Sequence, residues 1–346
     1  MEKQKPLTVV TGFSLKDKCD VIRRIQGNKK KNIKVILFRP TDVKLVIHSE
    51  DPFPLTHFIS EAVHHVEINT IPNLITALEE ESCNHHLDEI ILDIHPISDQ
   101  HSLFESLTSQ NGNYNWFIKS HIHVIDARDF WFSYYSEHGI TISEIDSNLT
   151  LEYTFGETLI NQLELAEMIY LSNTEQLSHE RLGELMVFIQ NLQPKALVSK
   201  LNDMNWRNED KKTAFDMKAA CHLYVDQINL FTSRSNMKVI GQYGIETFVY
   251  QSFSPVDFSR LEQFFTKLPS EVFRMKGRCY NPFTQELYSI SQVGSSIQVD
   301  TTNIYSENLT NTLTELLFIG SELNQEEIET MLNDCLQIQY DNRIAY

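Results

Sequence analysis

Hydrophobic and polar positions follow two regimes along the chain. Up to about residue 200, short apolar runs alternate with amphipathic stretches. Leu7–Val10 and Ile33–Phe38 are short and β-branched, the pattern of parallel strands buried on both faces. Between them, Lys18–Gln26 brings Val21, Ile22 and Ile25 onto one side, which predicts a helix. Ile71–Glu80 predicts another, with Pro72 in its first turn. Glu89–Ile94 reads as a strand with an acid near its end, and His121–Asp126 as a further strand. Leu159–Glu167 predicts a helix running into a strand at Met168–Leu171. Ser178 then caps a helix through Gln190, with Glu180 and Arg181 in its first turn. This rhythm predicts an α/β domain over residues 1–200, with a doubly wound, mainly parallel sheet.

The pattern then changes twice. Residues 201–243 open polar and charged, and Thr213–Phe231 has helical character, so a helical linker is expected there. Residues 244–346 predict strands at Ile245–Ser252, Glu271–Tyr280, Leu287–Ile290, Ser296–Val299 and Leu313–Ile319. Helices are expected at Asp257–Leu268 and Gln325–Cys335, which makes this a small α+β domain.

Composition narrows the function classes. The chain of 346 residues is 41% hydrophobic, enough for a sizeable core. It has no run of 18 apolar residues and no apolar leader after Met1, so no membrane partner is expected and the protein reads as cytoplasmic. Five scattered cysteines without a Cys-x-x-Cys pair fit a reducing compartment. A net charge of −18 disfavours nucleic acid as a partner. Residues 1–44 run against this trend, with 12 Lys/Arg and 4 Asp/Glu. They could attract phosphates, or simply form a solvated helix end and turn around Gly27–Asn32.

The first candidate chemistry lies at Leu7–Cys19, where an apolar strand runs into Gly12. This is the layout of a phosphate-binding loop, in which backbone N–H groups cradle phosphates, a lysine reaches the β/γ oxygens and a Ser/Thr hydroxyl holds Mg²⁺. Lys18 suits the lysine role. Asp17 stands where glycine belongs, and Cys19 where Ser or Thr belongs. A carboxylate beside a polyanion costs roughly 4 kcal/mol at ~4 Å and an effective dielectric of about 20. Lys16 offsets part of that, and a thiol is a poor ligand for a hard ion.

These residues resemble the CobW-type P-loop GTPases, some of which are metallochaperones for zinc or cobalt. The resemblance spans most of the chain and is clearest at Phe258–Leu261, Leu268-Pro269, Phe273–Gly277, Thr314–Gly320 and the helix reaching Cys335-Leu336. Thr11-Gly12-Phe13, Val124–Ala127 and Gln162–Leu171 carry it in the first half. The resemblance implies GTP and Mg²⁺ bound through Gly12, Lys16, Lys18 and Cys19. It implies base recognition at Ser172, Asn173 and Glu175, where the family has Asn-Lys-x-Asp, and catalytic acids at Asp93 and Asp99. It also implies zinc as a cofactor and a metalloprotein client as partner. The chain departs from the pattern at all of these motifs, and the family's Cys-x-Cys-Cys falls at Val66–Asn69, where no cysteine stands.

Histidine offers another route to metal. Eleven of the 13 histidines lie between His48 and His138, and imidazole is a good zinc ligand. Cys83 with His85 and His86, or His64 with His65, are the candidate ligands; surface and loop histidines are the alternative. His121 and His123 share one face of a strand, where core or pocket lining is the expectation. Three functions remain open: a nucleotide-binding metal-trafficking protein, a non-catalytic pseudo-GTPase module, and a His-based zinc protein independent of nucleotide.

Overall fold

The computed structural model describes residues 4–27, 32–40, 43–48, 66–96, 98, 100–109, 114–136, 138–144, 150–204, 242–281, 284, 286–302 and 314–336. The chain divides into two compact units, Met1–Leu223 and Tyr224–Tyr346.

The first unit contains β1 (Lys5–Gly12), α1 (Leu15–Gly27), β2 (Ile33–Phe38), β3 (Val43–His48), β4 (Val66–Ile68), α2 (Ile71–Ser82), β5 (Glu89–Ile94) and α3 (Gln100–Ser109). These are followed by β6 (Trp116–Asp126), α4 (Phe130–Tyr134), β7 (Gly139–Glu144), β8 (Thr150–Thr154), α5 (Phe155–Glu164), β9 (Met168–Ser172), α6 (His179–Leu192) and β10 (Leu197–Lys200). Seven strands form one sheet in the order β10-β9-β6-β1-β5-β2-β4, and every pairing in it is parallel. From β1 the chain winds one way to β2 and β4. After β5 it winds the other way through β6, β9 and β10. The carboxyl ends of β1 and β6 therefore flank the point where the strand order reverses, the usual crevice of an open α/β sheet.

Side chains alternate across this sheet into two cores. One gathers Leu7, Val9, Ile36, Ile90 and Leu92 with Leu74, Leu78, Leu103 and Phe104 of α2 and α3. The other packs Val21, Ile22 and Ile25 of α1 on Val10, Val35, Ile91, Ile122 and Tyr170. This second core also takes in Leu201, one residue inside the segment expected to be linker. Residues 205–241, including the helix expected at 213–231, lie outside the described residues. A separate three-stranded antiparallel sheet, β3-β7-β8, has no counterpart in the sequence expectations.

Two helix starts differ from expectation, each for a local reason. Helix α5 begins at Phe155 rather than 159, because Thr154 and Glu157 form a reciprocal capping box. Helix α1 begins at Leu15, three residues before the expected Lys18. The Ser14 hydroxyl accepts from the Asp17 N–H (3.3 Å) and the Ser14 carbonyl accepts from the Lys18 N–H (3.0 Å). An acid in the first turn also suits a helix N-terminus.

The second unit contains β11 (Ile245–Ser252), α7 (Phe258–Thr266), β12 (Val272–Asn281), β13 (Glu286–Val293), β14 (Ser296–Thr302), β15 (Thr314–Ser321) and α8 (Gln325–Asp334). Its sheet runs β11-β15-β12-β13-β14 and is antiparallel throughout. Asp257 caps α7, its carboxylate accepting from the N–H groups of Ser259 and Arg260. Leu261, Phe264, Ile328 and Leu332 cover Met275, Ile290, Leu316 and Phe318, so both helices share one core with the sheet. Among the described residues the elements form a parallel α/β sheet in the first unit and an antiparallel α+β arrangement in the second.

Candidate functional site

The site lies where β1 ends and α1 begins. Only Phe13 and Ser14 separate the two elements, so Leu15–Cys19 are helical and do not form an open loop. The N–H groups of Asp17 and Lys18, which a phosphate loop would turn toward its ligand, both point to Ser14.

Gly12 has φ +137°, and a Cβ there would sit 2.4 Å from the Val124 carbonyl oxygen. The close approach of β6 demands this glycine independently of any phosphate.

Lys18 is fully buried. Its ammonium donates to Asp93 Oδ1 at 2.6 Å and to the Ile94 carbonyl at 2.7 Å. The lysine and the acid on β5 are therefore brought together, as an ion pair that holds the start of α1 against the sheet. Asp17 is 5% exposed, and its Oδ2 accepts from the Ser172 hydroxyl at 2.6 Å. That bond links the first turn of α1 to the end of β9. Cys19 is buried on α1 and Lys16 is exposed.

Beside these residues opens a cavity of about 390 Å³. Phe13, Asp17, Asp126, Phe130, Phe155 and Asn173 are among its lining. Asn173 adopts a left-handed conformation (φ 53°), and its side-chain amide donates to Asp126 Oδ2 at 2.8 Å. Arg128 bridges Asp126 (3.2 Å) and Asp129 (2.7 Å). Burial, with the neighbouring Asp129 charge, raises the Asp126 carboxyl above its ordinary value, while Arg128 and Asn173 pull against that. Glu175 is exposed and does not line the cavity, whereas Gln176 does.

A buried polar chain runs behind the site. Thr11 Oγ1 lies 2.9 Å from His121 Nε2 and 2.8 Å from His123 Nδ1. His121 Nδ1 is 2.9 Å from the Leu165 carbonyl. A neutral His121 must therefore carry its proton on Nδ1, so Nε2 accepts from the Thr11 hydroxyl and His123 Nδ1 donates to Thr11. Burial pulls both histidines well down, His121 to about 4 and His123 to about 3, with His121 and Lys18 adding to the second shift. His95, on the segment after Asp93, is likewise lowered to about 4 by burial and by Lys18 and Arg39.

The metal candidates are placed unevenly. His64, His65 and Asp99 lie outside the described residues. Cys83 is exposed and its Sγ accepts from the Asn115 amide at 3.4 Å. His86 contributes backbone bonds to a turn, its N–H donating to Asn84 and its carbonyl accepting from Asn32. Among the described residues no three His, Cys, Asp or Glu side chains gather as a metal-binding group, so Cys83, His85 and His86 are not brought together as one. Among the described residues no helix is long and apolar enough to cross a membrane.

Sequence reasoning missed the Asp17–Ser172 bond and the Asp126–Arg128–Asp129 cluster. The acid closing the expected strand His121–Asp126 was legible in the sequence; the Asp17–Ser172 pairing joins residues 155 apart and leaves no local signal, and the Asp126–Arg128–Asp129 cluster depends on the turn that follows β6.

Comparison with known proteins adds four likenesses. Residues 245–336 match the cobalamin synthesis protein cobW C-terminal domain. The chain is 22% identical to a Dictyostelium discoideum protein named zinc-regulated GTPase metalloprotein activator 1, over 96% of this chain and 79% of that protein. Zn(II)-bound YjiA GTPase from E. coli aligns over 97% of this chain and all of its own, at 15% identity and a TM-score of 0.38. A triple mutant of it aligns at 14% identity over the same shares, with the same TM-score. Neither score carries an argument about this fold, which rests on the sheet topology. Residues 245–336 thus carry the C-terminal domain of the CobW-type family, and the chain as a whole is similar to the Dictyostelium protein along nearly its whole length.

Proposed function

We propose that this CobW-like protein is a non-hydrolysing interaction module serving a metalloprotein client. On this reading its phosphate site is closed by its own side chains. The observation that carries the reading is the position of Lys18. The ammonium that would meet β/γ oxygens is fully buried on Asp93 and the Ile94 carbonyl. The residues do not suit GTP with Mg²⁺. The two N–H groups best placed for a phosphate are taken by Ser14, Asp17 adds a carboxylate where the polyanion would lie, and Cys19 offers no hard oxygen. No hydrolytic step is therefore assigned to Asp93.

The metal connection and the client come from the Dictyostelium relative, whose name describes a zinc-regulated activator of a metalloprotein; for this chain they are an inference from family. Zinc, if used, needs ligands beyond Cys83, His85 and His86.

Calorimetry of the full chain with GTP and GDP, each with Mg²⁺, tests the reading. The expectation is no binding tighter than about 100 µM, roughly 5 kcal/mol. Tighter binding that Lys18→Ala abolishes would restore the nucleotide-binding reading. A zinc titration alongside, unaffected by His85→Ala with His86→Ala, would remove those two residues as ligands.

A further inference from the structure

We infer that the cavity at the carboxyl ends of β1, β6 and β9 binds an organic cation, an ammonium or guanidinium on a compact apolar body, anchored by Asp17. The inference rests on the reading that the phosphate position is closed. It deepens that reading: the charge preference of the pocket is inverted.

The anchor is an incompletely satisfied buried carboxylate. Asp17 is only 5% exposed and lines the cavity. Its Oδ2 accepts from the neutral Ser172 hydroxyl. Among the described residues its Oδ1 has no hydrogen-bond donor and its carboxylate no ion-pair partner. The adjacent Lys18 is turned away onto Asp93. Arg128 senses the Asp17 charge, yet it is fastened to Asp126 and Asp129. Asp17 thus presents a carboxylate oxygen to the cavity, free to accept from a ligand cation.

The rest of the lining suits the same ligand. Phe13 and Phe155 lie 4.4 Å apart between ring centroids, and Phe130 adds a third aromatic wall. Aromatic faces attract cations within about 6 Å. Asp126 and Asp129 add negative charge against Lys16 and Arg128, so an anion meets three carboxylates. A volume of about 390 Å³ fits a small-molecule pocket. The cation could be a free small amine or amidine, or the arginine of a peptide.

Titrating the full chain separately with benzamidine, N-acetyl-arginine amide, benzoate and GDP with Mg²⁺ tests this. Benzamidine binding with a Kd below about 1 mM is expected, with none for benzoate. Asp17→Asn, which keeps an acceptor for Ser172, should weaken benzamidine at least about tenfold. Phe13→Leu leaves Asp17 intact and should weaken it several-fold. Benzamidine without the arginine amide favours a free small cation; binding of both favours a peptide side chain. Either supports the inference. If neither cation binds and GDP does not, the cation site is overturned while the closed phosphate position stands. If GDP binds, the reading beneath both falls.

Discussion

Lys18 on α1 and Asp93 on β5 form a buried ion pair at 2.6 Å, 75 residues apart in sequence. Removing one member of such a pair leaves the other charge buried alone. Lys18→Ala is expected to destabilise the first unit by about 3–5 kcal/mol, read as a lower urea midpoint. The double variant Lys18→Met with Asp93→Leu should recover most of that loss, because an apolar pair leaves no stranded charge. A single variant of undiminished stability would contradict a structural role for the lysine.

The Asp17–Ser172 bond ties α1 to the end of β9. Ser172→Ala should cost about 1.5–3 kcal/mol, the range for a hydrogen bond to a charged group. A double-mutant cycle with Asp17→Asn would show coupling between the two positions, and strictly additive effects would argue that the bond contributes nothing.

Acid sensitivity should come from three imidazoles, His121 and His123 buried and His95 half-buried. His95, His121 and His123 are held at about 4, about 4 and about 3, below the ordinary 6.5 of an unfolded chain. The folded protein refuses protons that the unfolded chain accepts. Their contribution to stability is therefore fully present above pH 6.5 and declines as the pH falls through 6.5 toward 4 and 3. Each contributes up to about 1.4 kcal/mol per pH unit within that window. Unfolding free energies of wild type and His123→Gln between pH 7 and 5 should differ in slope by about one proton; parallel curves would remove His123 from this account.

In the second unit, Gly277 lets β12 lie close to β15. A Cβ there would fall 2.0 Å from the Glu315 carbonyl and 2.8 Å from Leu316 Cα. Gly277→Ala should cost more than about 2 kcal/mol. It should also loosen the neighbouring pair of Arg278 with Glu315 (2.8 Å). Thermal unfolding and amide exchange on β12 would register both effects.

Strands with a strong apolar signal were legible from the sequence. Ile33–Phe38, Glu89–Ile94 and Ile245–Ser252 begin and end where the pattern places them. Helix starts were less so, since Ser14 and Thr154 act through cap bonds that hydrophobic periodicity does not report. The candidate site suffered from the same cause. A motif that reads Gly12 to Cys19 as an open loop misses that Leu15–Cys19 are already helical, and with that the turning of the Asp17 and Lys18 N–H groups toward Ser14. The β3-β7-β8 sheet, which pairs Leu45 with Ile142 and Ile142 in turn with Leu151, went unforeseen because the contact between β3 and β7 spans nearly a hundred residues and leaves no local imprint.

The demand at Gly12 separates ancestry from activity. The carbonyl of Val124 on the neighbouring strand excludes any larger residue there, so every chain with this strand spacing must retain the glycine whether or not a ligand ever arrives. As a marker it reports how closely two backbones run. Scored as half of a nucleotide signature, it would credit the protein with a guest, when what it records is the distance between two of its own walls.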